Sequence, residues 1–378
     1  MKHMLRNCLS CLCLFYFISF ITYTKAESAF GKERIFFHFL TGNGSYHTPR
    51  IYPQYLMDAH RLHKAIIKKN ADIIICILGR RTNYERQEIK DYYTKFYVQT
   101  LEQRMSRLSD ENFRNLVLSL LKDLPNYLAE LLRVALYSDK FSTVTYTSIG
   151  LWNVEAFTVK EIYDKSNQSD LLKDITETTC GEYQNGLKCL FTTNRENIPI
   201  QRKTKDDNVR WTPAVYPESA MTDAKVLYES LHRPECLCGG NTTDIFCEVA
   251  PFQLNLTAAI YKQLYGTNLE DDIIKSTSGN QRELYLALLR YGTSRGELYA
   301  KLLHAVLTKA EVDYEVLNRI VITRSEIDMD DIIQAYRRLY GRPLADQIAS
   351  RTKGYYRLLL LTLLGHNQKC PFYPIEKC

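Results

Sequence analysis

Residues 344–365 read LADQIASRTKGYYRLLLLTLLG, a leucine, a glycine ten residues on and then a leucine-rich run. The same wording recurs three times upstream: Leu101…Glu111…NLVLSLLKD, Leu171…Gly181…GLKCLF and Leu269…Gly279…LYLALLR, with glycine replaced only in the first. The leucines are 70, 98 and 75 residues apart. A unit of about 70 residues explains all three intervals if one connection is longer, and a fixed period of this size marks a repeat architecture. The longer interval holds residues 193–219, TNRENIPIQRKTKDDNVRWTPAVYPES, with three prolines, mixed charge and little periodicity, and this reads as a linker between units two and three.

Within the units the apolar spacing is helical. Leu62, Ala65 and Ile66 fall on one face, as do Ile73, Ile74, Ile77 and Leu78, and as do Phe113, Leu116, Val117, Leu120 and Leu121. Thr143–Ile149 is rich in β-branched residues, yet its place in the unit calls for a helix. The expected class is all-α, built from short helices that no single unit buries alone. The 378 residues, 45% hydrophobic and 24% charged, exclude a disordered or collagen-like chain. A formal net charge of +6 from 49 basic and 43 acidic residues is too balanced for an obligate nucleic-acid binder.

The first 26 residues, MKHMLRNCLSCLCLFYFISFITYTKA, have a basic start (Lys2, Arg6), an apolar run from Leu9 to Ile21 and a close on Thr24-Lys25-Ala26. This is the layout of a secretory signal cut after Ala26, and the alternative is an uncleaved signal anchor, for which the apolar run is short. Its loss takes three basic residues from a net charge of +6 and leaves +3. The expected organisation is 1–26 signal, 27–52 N-terminal segment, 53–124 and 125–192 the first two units, 193–219 linker, 220–292 and 293–366 the last two, and 367–378 a cysteine-containing tail.

The secretory route gives two other features meaning. Eight cysteines remain after cleavage, and an oxidising compartment favours disulfides. Cys370 and Cys378 form the easiest local pair, Cys236, Cys238 and Cys247 crowd one region, and Cys180 and Cys189 are further candidates. Cys76 sits in the apolar run Ile73–Leu78 and reads as a small buried hydrophobe. Zinc is the alternative for the 236/238/247 group, but a fourth ligand at finger-like spacing is missing. Asn43, Asn167, Asn241 and Asn255 are N-x-S/T glycan acceptors.

Longer stretches then become recognisable. DAHRLHKAI (58–66) and IICILGRRTNYERQEI (74–89) in the first unit, LYGTNLEDDIIKSTSGNQRELYLALL (264–289) in the third, and RIVITRSEIDMDDI (319–332) with YRRLYGRPL (336–344) in the fourth resemble the annexins. The second unit is the most diverged, with TETTCGEYQNGLKCLF (176–191) as its main trace. The resemblance covers about residues 52–366. It implies four repeats of five helices in a curved disc and calcium-dependent binding to acidic phospholipid at the convex face. In that family, loop carbonyls of a G-x-G-T turn between the first two helices hold calcium. A carboxylate about 40 residues downstream completes the oxygen shell that this hard cation needs.

At those positions this sequence departs from the family. The loops read Lys68-Lys69-Asn70, Tyr137-Ser138-Asp139-Lys140 and Thr308-Lys309-Ala310-Glu311 in repeats one, two and four, and only repeat three keeps glycines, as Cys238-Gly239-Gly240-Asn241-Thr242. The downstream positions, seven past each repeat leucine, are Leu108, Thr178, Ser276 and Arg351, none of them acidic, although Asp110 and Glu177 lie close by. Calcium is therefore expected to bind weakly or not at all. Cations stand in its place: Lys68, Lys69 and Arg107 in repeat one, and Lys309, Arg351 and Lys353 in repeat four. They are candidates for contacting lipid phosphate or a sulfated glycan directly. The plainer reading is a solvated charged face. A glycan on Asn241 would hold repeat three away from a bilayer.

The competing expectation is a secreted, disulfide-stabilised scaffold for an extracellular protein, which 27 tyrosines suit. Catalysis is not expected: the sequence has no G-x-S-x-G, H-E-x-x-H or Walker-type loop. His60 and His63 share a helix without a carboxylate companion that fits a metal site.

Overall fold

The computed structural model describes residues 53–366 except 168, 196–198, 204–208, 214 and 233–239. The signal, Asn43, Cys236, Cys238, Cys370 and Cys378 lie outside the described residues.

Five helices recur four times. Repeat one holds α1 (Pro53–Ile67), α2 (Ala71–Leu78), α3 (Asn83–Phe96), α4 (Leu101–Met105) and α5 (Glu111–Leu120). Repeat two holds α6 (Leu124–Tyr137), α7 (Phe141–Ser148), α8 (Asn153–Asn167), α9 (Leu171–Thr178) and α10 (Gly181–Thr192). Repeat three holds α11 (Pro217–His232), α12 (Gly240–Glu248), α13 (Pro251–Tyr265), α14 (Leu269–Ser276) and α15 (Gly279–Thr293). Repeat four holds α16 (Arg295–Thr308), α17 (Tyr314–Arg324), α18 (Met329–Tyr340), α19 (Leu344–Arg351) and α20 (Gly354–Leu363). In each repeat the first and third helices pack together. Between repeats, one meets four through α2, α5, α17 and α20, and two meets three through α7, α10, α12 and α15.

The linker is not wholly irregular. Within it β1 (Pro199–Lys203) and β2 (Val209–Pro213) pair antiparallel, with Gln201 opposite Trp211. Prolines stand at its two outer ends, positions where a missing N–H costs little.

The repeat leucines mark the core. Leu101, Leu171, Leu269 and Leu344 are all buried, and each such side chain contributes about 1.5–3 kcal/mol when fully covered. The glycine ten residues later has a conformational role: Gly181, Gly279 and Gly354 have φ of 62°, 56° and 62°, a region that costs other residues about 1–2 kcal/mol. Repeat one lacks the glycine and solves the turn differently. There Asp110 adopts φ −75° and its carboxylate caps α5 by accepting from Phe113 N. The β-branched stretch FSTVTYTS is the helix α7, because its position buries Thr143, Val144, Thr145 and Thr147. Packing overrides a weak local preference.

The most recognisable words of the sequence are structural clasps. Thr82 and Glu85 form a reciprocal capping box at the start of α3. Arg81 is buried and pairs with Asp58 at 2.5 Å and with Glu85 at 3.1 Å. Arg86 donates to the carbonyls of Leu120, Leu78 and Arg81. It also reaches Glu326 of repeat four at 3.1 Å. Glu326 accepts Asn83 N–H as well, at 2.6 Å, so one carboxylate ties repeat four to the opening turn of α3.

Candidate functional site

The sequence points to the turns that join the first helix of each repeat to the second, and to the residues that follow the fourth helix. In repeat one, α1 runs into α2 through only Lys68, Lys69 and Asn70. Lys69 takes a left-handed φ of 52°. Asn70 N–H then returns to Ala65 O at 2.8 Å and Lys69 N–H to Ile66 O at 3.2 Å. This is a helix-closing turn in which the last carbonyls of α1 are used by the backbone itself. Asn70 caps α2 by accepting from Ile73 N. Repeat two repeats the device: Asp139 has φ 53° and Lys140 N–H returns to Ala135 O at 2.9 Å. Lys140 then reaches across to Glu315 of repeat four at 2.5 Å. Neither turn has spare chain to wrap carbonyls around an ion.

Repeat four has a longer turn, and a side chain fills it. Arg351 Nη2 donates to Lys309 O at 2.5 Å and to Ala310 O at 3.0 Å. A fixed positive charge thus sits on two loop carbonyls, the ligand type a hard cation would seek. Asp313 at the end of the turn caps α17 by accepting from Val316 N. In repeat three the turn itself, including Cys238 and Gly239, lies outside the described residues. The expectation of a loop through Thr242 is corrected in part, since α12 begins at Gly240.

The downstream positions supply no replacement ligand. Leu108 O accepts from Arg114, and Thr178 Oγ1 donates to Asp174 O. Asp110 is engaged in capping α5, and Glu177 faces Lys173 at 3.7 Å. Among the described residues, no three His, Cys, Asp or Glu side chains gather as a metal site. The residues of repeats one, two and four therefore do not fit a bound calcium ion.

Of the six candidate cations, Lys68, Lys69, Arg107, Lys309 and Lys353 are exposed. None has a side-chain hydrogen bond or ion pair among the described residues. Arg351 differs, being half-buried and committed to the carbonyls just described, so its expected role as a free phosphate contact is corrected. The junctions of repeats one and four that carry Arg107 and Lys353 adjoin each other. A Cβ on Gly354 would lie 3.5 Å from Asp110 Oδ2, and the Phe113 and Tyr355 rings are 5.8 Å apart.

Two cysteine expectations change. Cys189 and Cys247 are bridged, joining α10 to α12. Cys180 is instead a free, exposed thiol. Cys76, expected as a plain hydrophobe, is disulfide-bonded although buried, to a partner outside the described residues. A local apolar run concealed a long-range bridge. Among the glycan acceptors, Asn255 is exposed on α13, with the hydroxyl of its sequon partner Thr257 turned to Gln253 O. Asn167 ends α8 and Asn241 lies in the first turn of α12.

The histidines of the first helices have structural partners. His60 meets Tyr97 OH at 2.6 Å and His63 meets Tyr93 OH at 3.1 Å. His304 meets Tyr336 OH at 3.0 Å at the corresponding place in repeat four. Burial, reinforced by Arg104 and then His60, lowers the pKa of His63. Burial and then Arg342 lower that of His304.

A sequence profile of the annexins matches residues 57–120, 223–288 and 299–363. Annexin B22 of Schistosoma mansoni is 34% identical over 362 residues, covering 90% of this chain and 99% of that protein. The chain belongs to the annexin family. Human annexin A1 is 30% identical over 343 residues, covering 86% of this chain and 91% of its own. Calcium-bound annexin (Sm)1 superimposes with a TM-score of 0.75 at 31% identity, over 87% of this chain and 97% of that one. Calcium-dependent phospholipid binding is the general activity of annexins, and the departures described above lie in the turns that would carry the calcium-dependent part in this annexin.

Proposed function

We propose that this annexin docks on acidic phospholipid surfaces through the exposed cations of repeats one and four, with little dependence on calcium. One observation carries the reading: Arg351 occupies the loop carbonyls of repeat four, while Lys309 and Lys353 of that repeat and Lys68, Lys69 and Arg107 of repeat one stand exposed and unpaired among the described residues. A basic side chain close to an anionic surface contributes about 1 kcal/mol, decaying over a Debye length of about 8 Å at physiological salt. Five such groups give useful, salt-sensitive affinity without a bridging ion.

Secretion is part of the proposal. The N-terminal signal pattern supports it, as do disulfides at Cys189–Cys247 and Cys76, which persist in oxidising compartments. The same bridges favour a second reading, a stapled extracellular scaffold that binds a sulfated glycan or a protein. Cosedimentation with phosphatidylserine vesicles, with calcium or EGTA and at two salt concentrations, separates the alternatives. The expected result is binding that survives EGTA and weakens with salt. Release by EGTA would overturn the proposal, and loss of vesicle binding with retention on heparin would favour the scaffold.

A further inference from the structure

Cys76 stands near the end of α2, buried and disulfide-bonded to a partner outside the described residues. Four cysteines past the N-terminal signal pattern lie there: Cys236, Cys238, Cys370 and Cys378. Packing, the second bridge and chain reach choose among them.

α2 packs on α20 of repeat four, and a Cβ on Gly79 would lie 2.7 Å from Thr362 Cγ2. Cys76 precedes Gly79 by three residues, less than one turn. Cys236 and Cys238 belong instead to the turn before α12, a helix that packs on α10, α11 and α15 of repeats two and three. The bridge already seen shows what such a seam accepts. Cys189 stands eight residues past Gly181 on the fifth helix of repeat two and joins Cys247 near the end of the second helix of repeat three, with Cα atoms 5.9 Å apart. In repeat four, Thr362 stands eight residues past Gly354 on the fifth helix, and Cys76 lies near the end of the second helix of repeat one. The two seams pair the same helices, but the one–four seam has threonine where the two–three seam has cysteine. Its second sulfur has to come from the chain beyond Thr362.

That chain starts in the right place. Gly365 turns at φ 85° and His366 N–H returns to Leu361 O at 3.0 Å, so the backbone leaves α20 beside its last turn. Cys370 follows four residues later, a reach of up to about 14 Å, against the roughly 6 Å between Cα atoms that a disulfide asks for. Cys378 is twelve residues past His366. Local concentration falls roughly as the −3/2 power of linker length, which favours Cys370 about five-fold.

We propose that Cys76 and Cys370 form a disulfide strap that ties the tail following repeat four across the seam to repeat one. The S–S bond forms as two thiols give up two protons and two electrons to a disulfide oxidant of the glutathione type, which is reduced to two thiols. Together with Cys189–Cys247, the strap gives each of the two seams one covalent tie. It makes the one–four seam redox-sensitive: a reductant opens the strap and leaves Arg86 with Glu326 to hold that edge. The local pairing of Cys370 with Cys378 is then not formed.

The test is a tryptic map of the whole protein made in a secretory host, with free thiols blocked by iodoacetamide and no reductant added. Cleavage after Lys69, Arg80, Lys369 and Lys377 places Cys76 in 70–80 and Cys370 in 370–377 and releases Cys378 alone, while Cys236, Cys238 and Cys247 share 226–262. The expected result is peptide 70–80 joined to 370–377, separating on reduction. Peptide 70–80 joined to Cys378 or to 226–262, or found with Cys76 alkylated, would overturn the proposal. Cys370→Ser should melt about 4 °C below the native protein, and a phosphine reductant should lower the native Tm more than that of the variant. Equal Tm values for native and variant would overturn the role of the strap in holding the seam. If Cys370→Ser is not secreted, the map of the native protein decides alone.

Discussion

At Arg351 one guanidinium shares its space with two loop carbonyls, and its charge decides what else can enter. Replacing it by glutamate removes both hydrogen bonds and adds oxygen ligands beside two freed carbonyls. Arg351→Glu is therefore expected to bind calcium or terbium where the native turn does not, read by calorimetry or by terbium luminescence. Silence from the variant would mean that the turn holds its shape without Arg351. Lys69 offers a second test at this scale. Its left-handed backbone costs a lysine about 1–2 kcal/mol more than a glycine, partly offset by glycine's greater unfolded-state entropy. Lys69→Gly should thus raise stability by roughly 0.5–1 kcal/mol in urea unfolding while weakening vesicle binding. The histidines supply a pH dependence with a definite sign. His63 and His304 have pKa values lowered in the folded state, so the unfolded chain takes up protons first as pH falls. Stability from these neutral rings is full above about pH 6.5 and is lost below it. The double variant His63→Gln/His304→Gln should flatten the acid side of a Tm-against-pH curve.

The helices were legible in the sequence wherever a position forces a residue type. Leu101, Leu171, Leu269 and Leu344 are buried, and Gly181, Gly279 and Gly354 occupy left-handed turns, so their spacing survives divergence elsewhere. Thr82 and Glu85 stand in one of the recognisable stretches, and the structure gives the reason: a capping box needs those two types three residues apart. What could not be read is tertiary. Arg351 looked like a free cation, since its acceptors are backbone carbonyls 41 and 42 residues earlier, and carbonyls leave no mark on a sequence. Cys76 was hidden by its isoleucine neighbours. The ribbon of β1 and β2 was masked by charge and by proline at its ends. At this scale the bridge from α10 to α12 is the accessible element to break. Its two cysteines are 58 residues apart, and removing a native bridge typically costs about 2–5 kcal/mol. Cys189→Ala/Cys247→Ala should lower the denaturation midpoint accordingly under non-reducing conditions, with the helix content in circular dichroism preserved.

At the scale of the whole disc, the seam between repeats one and four matters most. Glu326 joins repeat four to repeat one, and Glu326→Ala leaves the buried Arg86 without its carboxylate. Because Glu326 is partly exposed, the expected loss is nearer 2 kcal/mol than the 3–5 kcal/mol of a fully buried pair, measured by chemical denaturation. The proposed docking face is tested by neutralising part of it. Lys68→Gln/Lys69→Gln should weaken phosphatidylserine binding by about 2 kcal/mol, or roughly 30-fold, and flatten its salt dependence, with Tm nearly unchanged. The bridge between Cys189 and Cys247 has a further result for the molecule as a whole, because the ribbon at 199–213 lies inside the segment it spans. A protease that nicks the ribbon severs the polypeptide yet releases nothing. The two fragments should migrate as one band on a denaturing gel until a thiol reagent is added, and only then part company.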